Sequence, residues 1–272
     1  MEEILAKYFR PKLPHIWCPG CGNGIVTAAV TKAIDKLQLD IDQTAIVSGI
    51  GCSSRASGYL NFDTLHTAHG RAIPFATGIK LVKPNHNVIV LTGDGDATAI
   101  GGNHFIHAAR RNLDITVVVF NNNIYGMTGG QYSPLTPNKG MATTAPYGNV
   151  DRPFDLCELA KGAGATFVAR ATTFHAALLA EVIAKGISHK GFSLVEAITA
   201  CPVSFGRQNK MGSPANMIKT QRDNAVMVEA MAKMKPEQYE GKFPIGVLYQ
   251  AEAPEYVTEY QKVIARAMGR TE

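Results

Sequence analysis

The chain has 272 residues, a net charge of +5, 18% charged and 46% hydrophobic residues. Its charges are scattered, and no apolar stretch approaches the ~18 residues of a membrane span, which excludes nucleic-acid and membrane partners as the default reading. Charge below the ordinary value of about 25% points to large contacts with partner chains. The N-terminus, Met1-Glu2-Glu3-Ile4-Leu5-Ala6-Lys7, is acidic where an export signal is basic and then apolar. This predicts a cytoplasmic protein whose five cysteines serve metals or catalysis rather than disulfides.

Short strands and helical patterns alternate along the chain. A helix is predicted over 24–37, a strand over 44–48, a helix over 73–81 and a strand over 87–92. A helix over 101–111, a strand over 115–121, a helix over 154–161, a strand over 166–169, a helix over 174–188 and a strand over 193–199 follow. The strands are rich in Val and Ile and apolar on both faces, as in a covered parallel sheet. The fold class is α/β, with an open, mostly parallel sheet and helices on both faces. Residues 1–215 form the α/β domain. Residues 216–272, with helical patterns over 220–235 and 254–269 and a segment holding Pro236, Pro244 and Pro254, form a C-terminal helical arm that packs on the core or a partner. The stretch 123–153, rich in Gly, Pro, Thr and Asn, is long enough to be a functional loop. Ligands of open α/β sheets bind at the carboxyl ends of strands, so those positions carry most weight.

Four cysteines fall into a suggestive set. Cys18 and Cys21 flank Pro19-Gly20, Cys52 follows the strand 44–48, and Cys201 follows the strand 193–199. Four thiolates suit a tetrahedral zinc or a [4Fe–4S] cluster. A redox pair at Cys18 and Cys21 is a third reading, and small buried residues at Cys52 and Cys201 a fourth. Cys157 lies in a helical pattern and reads as core. The strand 87–92 runs directly into Gly93-Asp94-Gly95-Asp96 before a helix, a place for a phosphate-binding turn. Neither G-x-G-x-x-G nor G-K-[ST] is present there. An aspartate facing a diphosphate repels it unless a cation such as Mg²⁺ lies between. An amide or carbonyl oxygen from Asn121-Asn122-Asn123-Ile124, at the end of the next strand, completes such a site. Read singly, G-D-G is a common turn and Asp96 a helix cap. The pairing is sharper: 25 residues separate Gly95 from Asn121-Asn122, and each motif ends an apolar strand.

That pairing resembles the thiamine diphosphate motif. With the four cysteines, the chain resembles the β subunit of the 2-oxoacid:ferredoxin oxidoreductases over residues 12–210. The resemblance is carried by Trp17-Cys18-Pro19-Gly20-Cys21-Gly22, Gly49-Ile50-Gly51-Cys52-Ser53-Ser54, Gly93-Asp94-Gly95-Asp96 and Tyr125-Gly126-Met127-Thr128-Gly129-Gly130-Gln131. Leu65-His66-Thr67-Ala68-His69-Gly70-Arg71 and Gly101-Gly102-Asn103-His104-Phe105-Ile106-His107 are most similar to the 2-oxoglutarate branch. The resemblance implies a thiamine diphosphate-binding domain carrying one [4Fe–4S] cluster on Cys18, Cys21, Cys52 and Cys201. It implies Mg²⁺ on Asp94, Asn122 and the carbonyl of Ile124. It places Cys52, Ser53, Ser54, Gly93, Gly95, Asp96, Met127 and Thr128 against the cofactor, with His69 near it and Arg55 at the substrate carboxylate. The implied activity is oxidative decarboxylation of a 2-oxo acid to acyl-CoA and CO₂, or the reverse, with coenzyme A as cosubstrate and electrons passed to ferredoxin. The resemblance also implies a partner α subunit that supplies the carboxylate activating the cofactor. Three alternatives remain open: pyruvate or broad 2-oxoacid specificity, a non-redox thiamine decarboxylase or synthase with a structural zinc, and an electron-relay subunit.

Overall fold

The computed structural model describes residues 2–11 and 13–270. In chain order it comprises α1 (Glu2–Tyr8), α2 (Asn23–Lys36), β1 (Thr44–Ser48), α3 (Ala56–Tyr59), β2 (Asp63–His66), α4 (Ala72–Val82), β3 (Asn87–Gly93), α5 (Gly102–Arg110) and β4 (Thr116–Asn121). Then come α6 (Leu156–Gly162), β5 (Phe167–Thr172), α7 (Ala176–Ser188), β6 (Ser193–Ile198), α8 (Pro214–Asn224), β7 (Ala225–Met227), α9 (Val228–Met231), β8 (Phe243–Gln250) and α10 (Tyr256–Ala267). Two π-helical turns, Asp96–Ile100 and Pro202–Gly206, follow β3 and β6.

The eight strands form one sheet in the order β2-β1-β3-β4-β6-β5-β8-β7. Every neighbouring pair is parallel except β5 with β8. Alternation along the strands feeds two cores. Ile46, Leu91, Val118 and Val195 pack beneath α2 and α7, whose Val30, Ile34 and Leu179 are fully buried. Val47, Val90, Val117 and Leu194 face the other way, toward Ile73 of α4, Phe105 of α5 and Leu156 of α6. Both faces are covered, so strands that are apolar throughout cost nothing in exposed surface. Among the described residues, no helix is long and apolar enough to cross a membrane.

The expected strands and helices over 24–199 appear with end shifts of at most three residues. Strand β2 carries a single large apolar residue, Leu65, at an exposed edge, so it has no alternation to read. The C-terminal segment differs more. The helix expected over 220–235 breaks at β7, where Ala225–Met227 pair with Phe243–Ile245. Residues 243–250, hidden behind Pro244 and Gly246, form a strand that runs antiparallel to β5. Pro244 is tolerated near the strand start, and Gly246 (φ +112) lies two residues before a bulge at Leu248, opposite Val168 and Ala169. Residues 216–272 thus add strands to the sheet as well as helices.

Truncation after residue 215 leaves β5 as an open edge and removes Gln221, which accepts hydrogen bonds from Thr173 Oγ1 (2.9 Å) and Phe174 N (3.2 Å). The shortened chain is expected to sediment as aggregates. A monodisperse truncated chain with an unchanged melting temperature would show the segment to be a separable arm.

Candidate functional site

Parallel register brings the carboxyl ends of β1, β3, β4 and β6 to one edge of the sheet. The chain leaves β1 outward to β2 and returns on the far side of β1 to form β3. After β1 it packs Ala56 and Leu60 beneath the α2 face, while after β3 it packs Ala97 and Phe105 on the opposite face. These diverging connections open a crevice between β1 and β3, the general position for ligands in open α/β sheets.

The crevice is lined by the turn after β1 (Ile50 to Ser53), His69, Gly93 to Asp96, and the segment from Phe120 to Thr128. Its enclosed volume is about 50 Å³, far below the roughly 300–1,000 Å³ of a complete ligand pocket. Asp94 is its most perturbed group. The carboxylate is 2% exposed and accepts a hydrogen bond from Ser133 Oγ. Burial pushes its pKa up to about 7, a cost relieved when a cation comes to lie against it. Asn122 and Ile124 line the same crevice. Asn121 Oδ1 accepts from Asn123 N and Asn122 Oδ1 from Ile124 N, both at 3.1 Å, so two successive Asx turns shape this strand end.

Asp96 lines the crevice and also binds backbone groups of this chain. Its Oδ1 accepts from Gly70 N at 2.7 Å and Ile50 N at 3.4 Å, and its Oδ2 from Thr92 Oγ1 at 2.7 Å. His69 Nδ1 also sits against it. One buried carboxylate thus ties the loops after β1 and β2 to the end of β3 while lining the crevice. Tyr125, absent from the sequence expectations as a site residue, packs edge-on to His69 and donates from its hydroxyl to Gly95 O at 2.9 Å. Burial, then Asp94 and Asp96, pushes its pKa up to about 12, so it remains a donor. A Cβ on Gly95 would fall 2.2 Å from the Tyr125 ring, which explains the second glycine of G-D-G.

A second cavity of about 220 Å³ adjoins the first and is lined by all four expected cysteines, Cys18, Cys21, Cys52 and Cys201, beside Trp17 and the π-helical turn 202–206. Trp17 Nε1 donates to Cys52 O at 2.7 Å, which holds the turn after β1 against the N-terminal loop. Burial pushes the Cys21 and Cys52 thiols up, Cys52 to about 11, and neighbouring cysteines add to both rises. The four sulfurs are close enough to feel one another. Yet among the described residues no group of three or more His, Cys, Asp or Glu is arranged to hold a metal ion. Cys52, Asn122, Gly126 and Met127 line both cavities. A Cβ on Gly126 would stand 3.3 Å from Cys201 Sγ and 3.8 Å from Cys52 Sγ, so the partition is backbone-thin there.

Of the residues expected at the cofactor, Cys52, Ser53, His69, Gly93, Asp94, Gly95, Asp96, Asn122, Ile124, Met127 and Thr128 line the crevice. Ser54 is buried beneath it and Arg55 is exposed on the turn Ser53–Arg55; neither lines either cavity. Cys157 is core, as expected.

A family model described as thiamine pyrophosphate enzyme, C-terminal TPP binding domain, matches residues 49–197. Over 270 residues the chain is 51% identical to 2-oxoglutarate synthase subunit KorB of Methanothermobacter marburgensis, covering 99% of this chain and 95% of that one. It is 39% identical over 253 residues to the β subunit of 2-oxoacid:ferredoxin oxidoreductase 1 of Aeropyrum pernix, covering 89% of this chain and 79% of the relative. The chain belongs to the 2-oxoacid:ferredoxin oxidoreductase β subunits. Among solved structures, a 2-oxoglutarate:ferredoxin oxidoreductase from Magnetococcus marinus, with 2-oxoglutarate, coenzyme A and succinyl-CoA bound, superposes with a TM-score of 0.87 at 33% identity. That match covers 98% of this chain and 91% of the other. As a β subunit of this family, the chain is part of an enzyme, and the match to the thiamine-binding domain spans β2 to β6 of the sheet described above.

Asp94 gives this β subunit a pH signature. Its folded-state pKa is raised from 3.8 to about 7, so the stability tied to its protonated form is complete below pH 3.8 and lost as pH rises through 7. The loss corresponds to roughly 4 kcal/mol. Asp94→Asn is expected to raise the melting temperature of the thiamine- and cation-free protein at pH 8 and to change it little at pH 5. Equal shifts at both pH values would contradict the assignment.

Proposed function

We propose that this chain is the cofactor-carrying β subunit of a CoA-dependent 2-oxoglutarate:ferredoxin oxidoreductase working in the cytoplasm. The observation that carries the reading is the wall shared by the two cavities. Cys52 and Gly126 face a thiol-lined cavity on one side and the Asp94 crevice on the other. A site for two-electron carbon chemistry therefore lies one residue's thickness from a site suited to one-electron transfer.

The residues present fit both groups. Asp94, Asn122 and the carbonyl of Ile124 supply one carboxylate and two neutral oxygens, a set suited to Mg²⁺ with a diphosphate. Cation binding also answers the cost of burying Asp94. Cys18, Cys21, Cys52 and Cys201 line one cavity, and four thiolates suit a [4Fe–4S] cluster. Bound in these sites, thiamine diphosphate supplies carbanion chemistry and the cluster one-electron transfer.

The chain's own residues position and insulate. Gly95, kept bare by Tyr125, lets the backbone approach the diphosphate. Asp96 fixes the loops bearing His69 and Ile50, and His69 stands at the crevice edge. Trp17 closes the cysteine cavity on one side. The open outer side of the crevice is where a partner α subunit completes the cofactor site and contributes the activating carboxylate. Substrate, coenzyme A and ferredoxin are those named for the relatives. Ser54 and Arg55 are left out of the proposed site.

The test is reconstitution with the α subunit, Mg²⁺ and thiamine diphosphate. Ferredoxin reduction is expected to require both 2-oxoglutarate and coenzyme A. Cys52→Ser should abolish it while thiamine diphosphate still binds. Equal rates with pyruvate would overturn the substrate assignment, and full activity in Cys52→Ser would overturn the electron path.

A further inference from the structure

Behind the strand end that carries Asn122 lies a buried polar chain that neither cavity touches. Asn121 is 7% exposed, Glu196 3% and Arg170 6%. Asn121 Nδ2 donates to Glu196 Oε1 at 2.7 Å, and Arg170 Nε donates to Glu196 Oε2 at 2.6 Å. The Cys157 thiol, its pKa raised well above the usual value by burial and then by Glu196, donates to the same Oε2 at 3.3 Å. Arg170 is anchored in turn on Asp155 at 2.7 Å, the residue that caps α6 by accepting from Cys157 N and Glu158 N. Such a charged group in the core costs more than apolar side chains of the same volume, so stability alone does not account for it.

We propose that Arg170 and Glu196 are positioning residues that act through Asn121 to fix the turn presenting Asn122 and Ile124 to a divalent cation. The inference rests on the cation site proposed above. Its logic is one of orientation. A free asparagine amide can turn over, exchanging its oxygen and nitrogen. Glu196, an acceptor held in place by Arg170, selects the orientation with Nδ2 inward. Oδ1 then points forward to accept from Asn123 N. That bond holds Asn123 at φ +62, in the left-handed region, and Thr136 Oγ1 grips Asn123 O from the other side at 2.6 Å. With Asn123 fixed, Asn122 Oδ1 accepts from Ile124 N and keeps a second lone pair for the crevice. The relay thus runs from the cap of α6 through β5 and β6 to the end of β4, with Arg170 paired to Glu196 and Val119 to Glu196 in the strand register.

The experiment compares Asn121→Ala, Glu196→Gln and Asn122→Ala in the assembled α–β enzyme. The cation is removed by chelation, thiamine diphosphate is saturating, and Mg²⁺ affinity is read by calorimetry. Glu196→Gln keeps the side-chain shape but not the fixed acceptor, so it covers the case in which Asn121→Ala does not fold. Outer partners of metal ligands typically contribute about 10–100-fold in affinity. That loss is expected in Asn121→Ala, with a smaller loss in Glu196→Gln, an unchanged iron content and kcat recovered at high Mg²⁺. A merely structural role would lower the melting temperature and leave the affinity of the folded protein unchanged. Loss in Asn122→Ala with unchanged affinity in both other variants overturns the relay alone. Unchanged affinity in Asn122→Ala overturns the cation site and the relay with it.

Discussion

A carboxylate buried at the end of a central strand needs an answering charge, and much of this site can be understood as that answer. Asp94 is withdrawn from water, and within the chain its side chain is met by the hydroxyl of Ser133 and by backbone N–H groups of its own turn and of Asn122. Its position between β1 and β4 in the sheet order is what brings the β4 turn within reach. Its neighbour Asp96 is equally buried, but it is spent on backbone N–H groups and a threonine hydroxyl of this same chain. Two acids of one short motif therefore do opposite work. One lies buried at the crevice with its pKa raised, and the other holds the loops that frame the first.

The second constraint is the partition between the crevice and the thiol cavity. It is thin because Gly126 has no side chain and because Cys52 belongs to both linings. Closeness of this kind is set by the backbone: the turn after β1, the turn after β4 and the π-helical turn after β6 converge at one sheet edge. The N-terminal loop with Cys18 and Cys21 is brought to the same place by the Trp17 hydrogen bond to Cys52 O and by the close packing of Gly20 on Pro214.

The central strands were legible in the sequence because burial on both faces leaves unbroken Val and Ile runs between turn residues. Asp94, Asn122, Cys52 and Cys201 stood out because their chemistry is unusual at strand ends, and Cys18 and Cys21 by their spacing; the structure places all six on the two adjoining cavities. Contacts that depend on tertiary placement were not. The partners of Asp96 are backbone groups as far away as Ile50 and Gly70, and backbone leaves no mark in a sequence. Strand β8 was masked by Pro244 and Gly246. The best missed signal was Glu196: an acid inside a strand otherwise apolar or small, Ser193–Ile198, calls for a buried cation, and Arg170 in the neighbouring strand is that cation. Arg55, three residues past Cys52, is exposed and lines neither cavity of this chain.

The claim that the two cavities form a coupled carbon and electron site is tested most directly by metal analysis of anaerobically purified protein. Cys₄ ligation of one cluster predicts about four iron and four acid-labile sulfide per chain, with iron lost in Cys52→Ser. About one zinc per chain and no iron would contradict it and leave the cysteines a structural role beside a non-redox thiamine site.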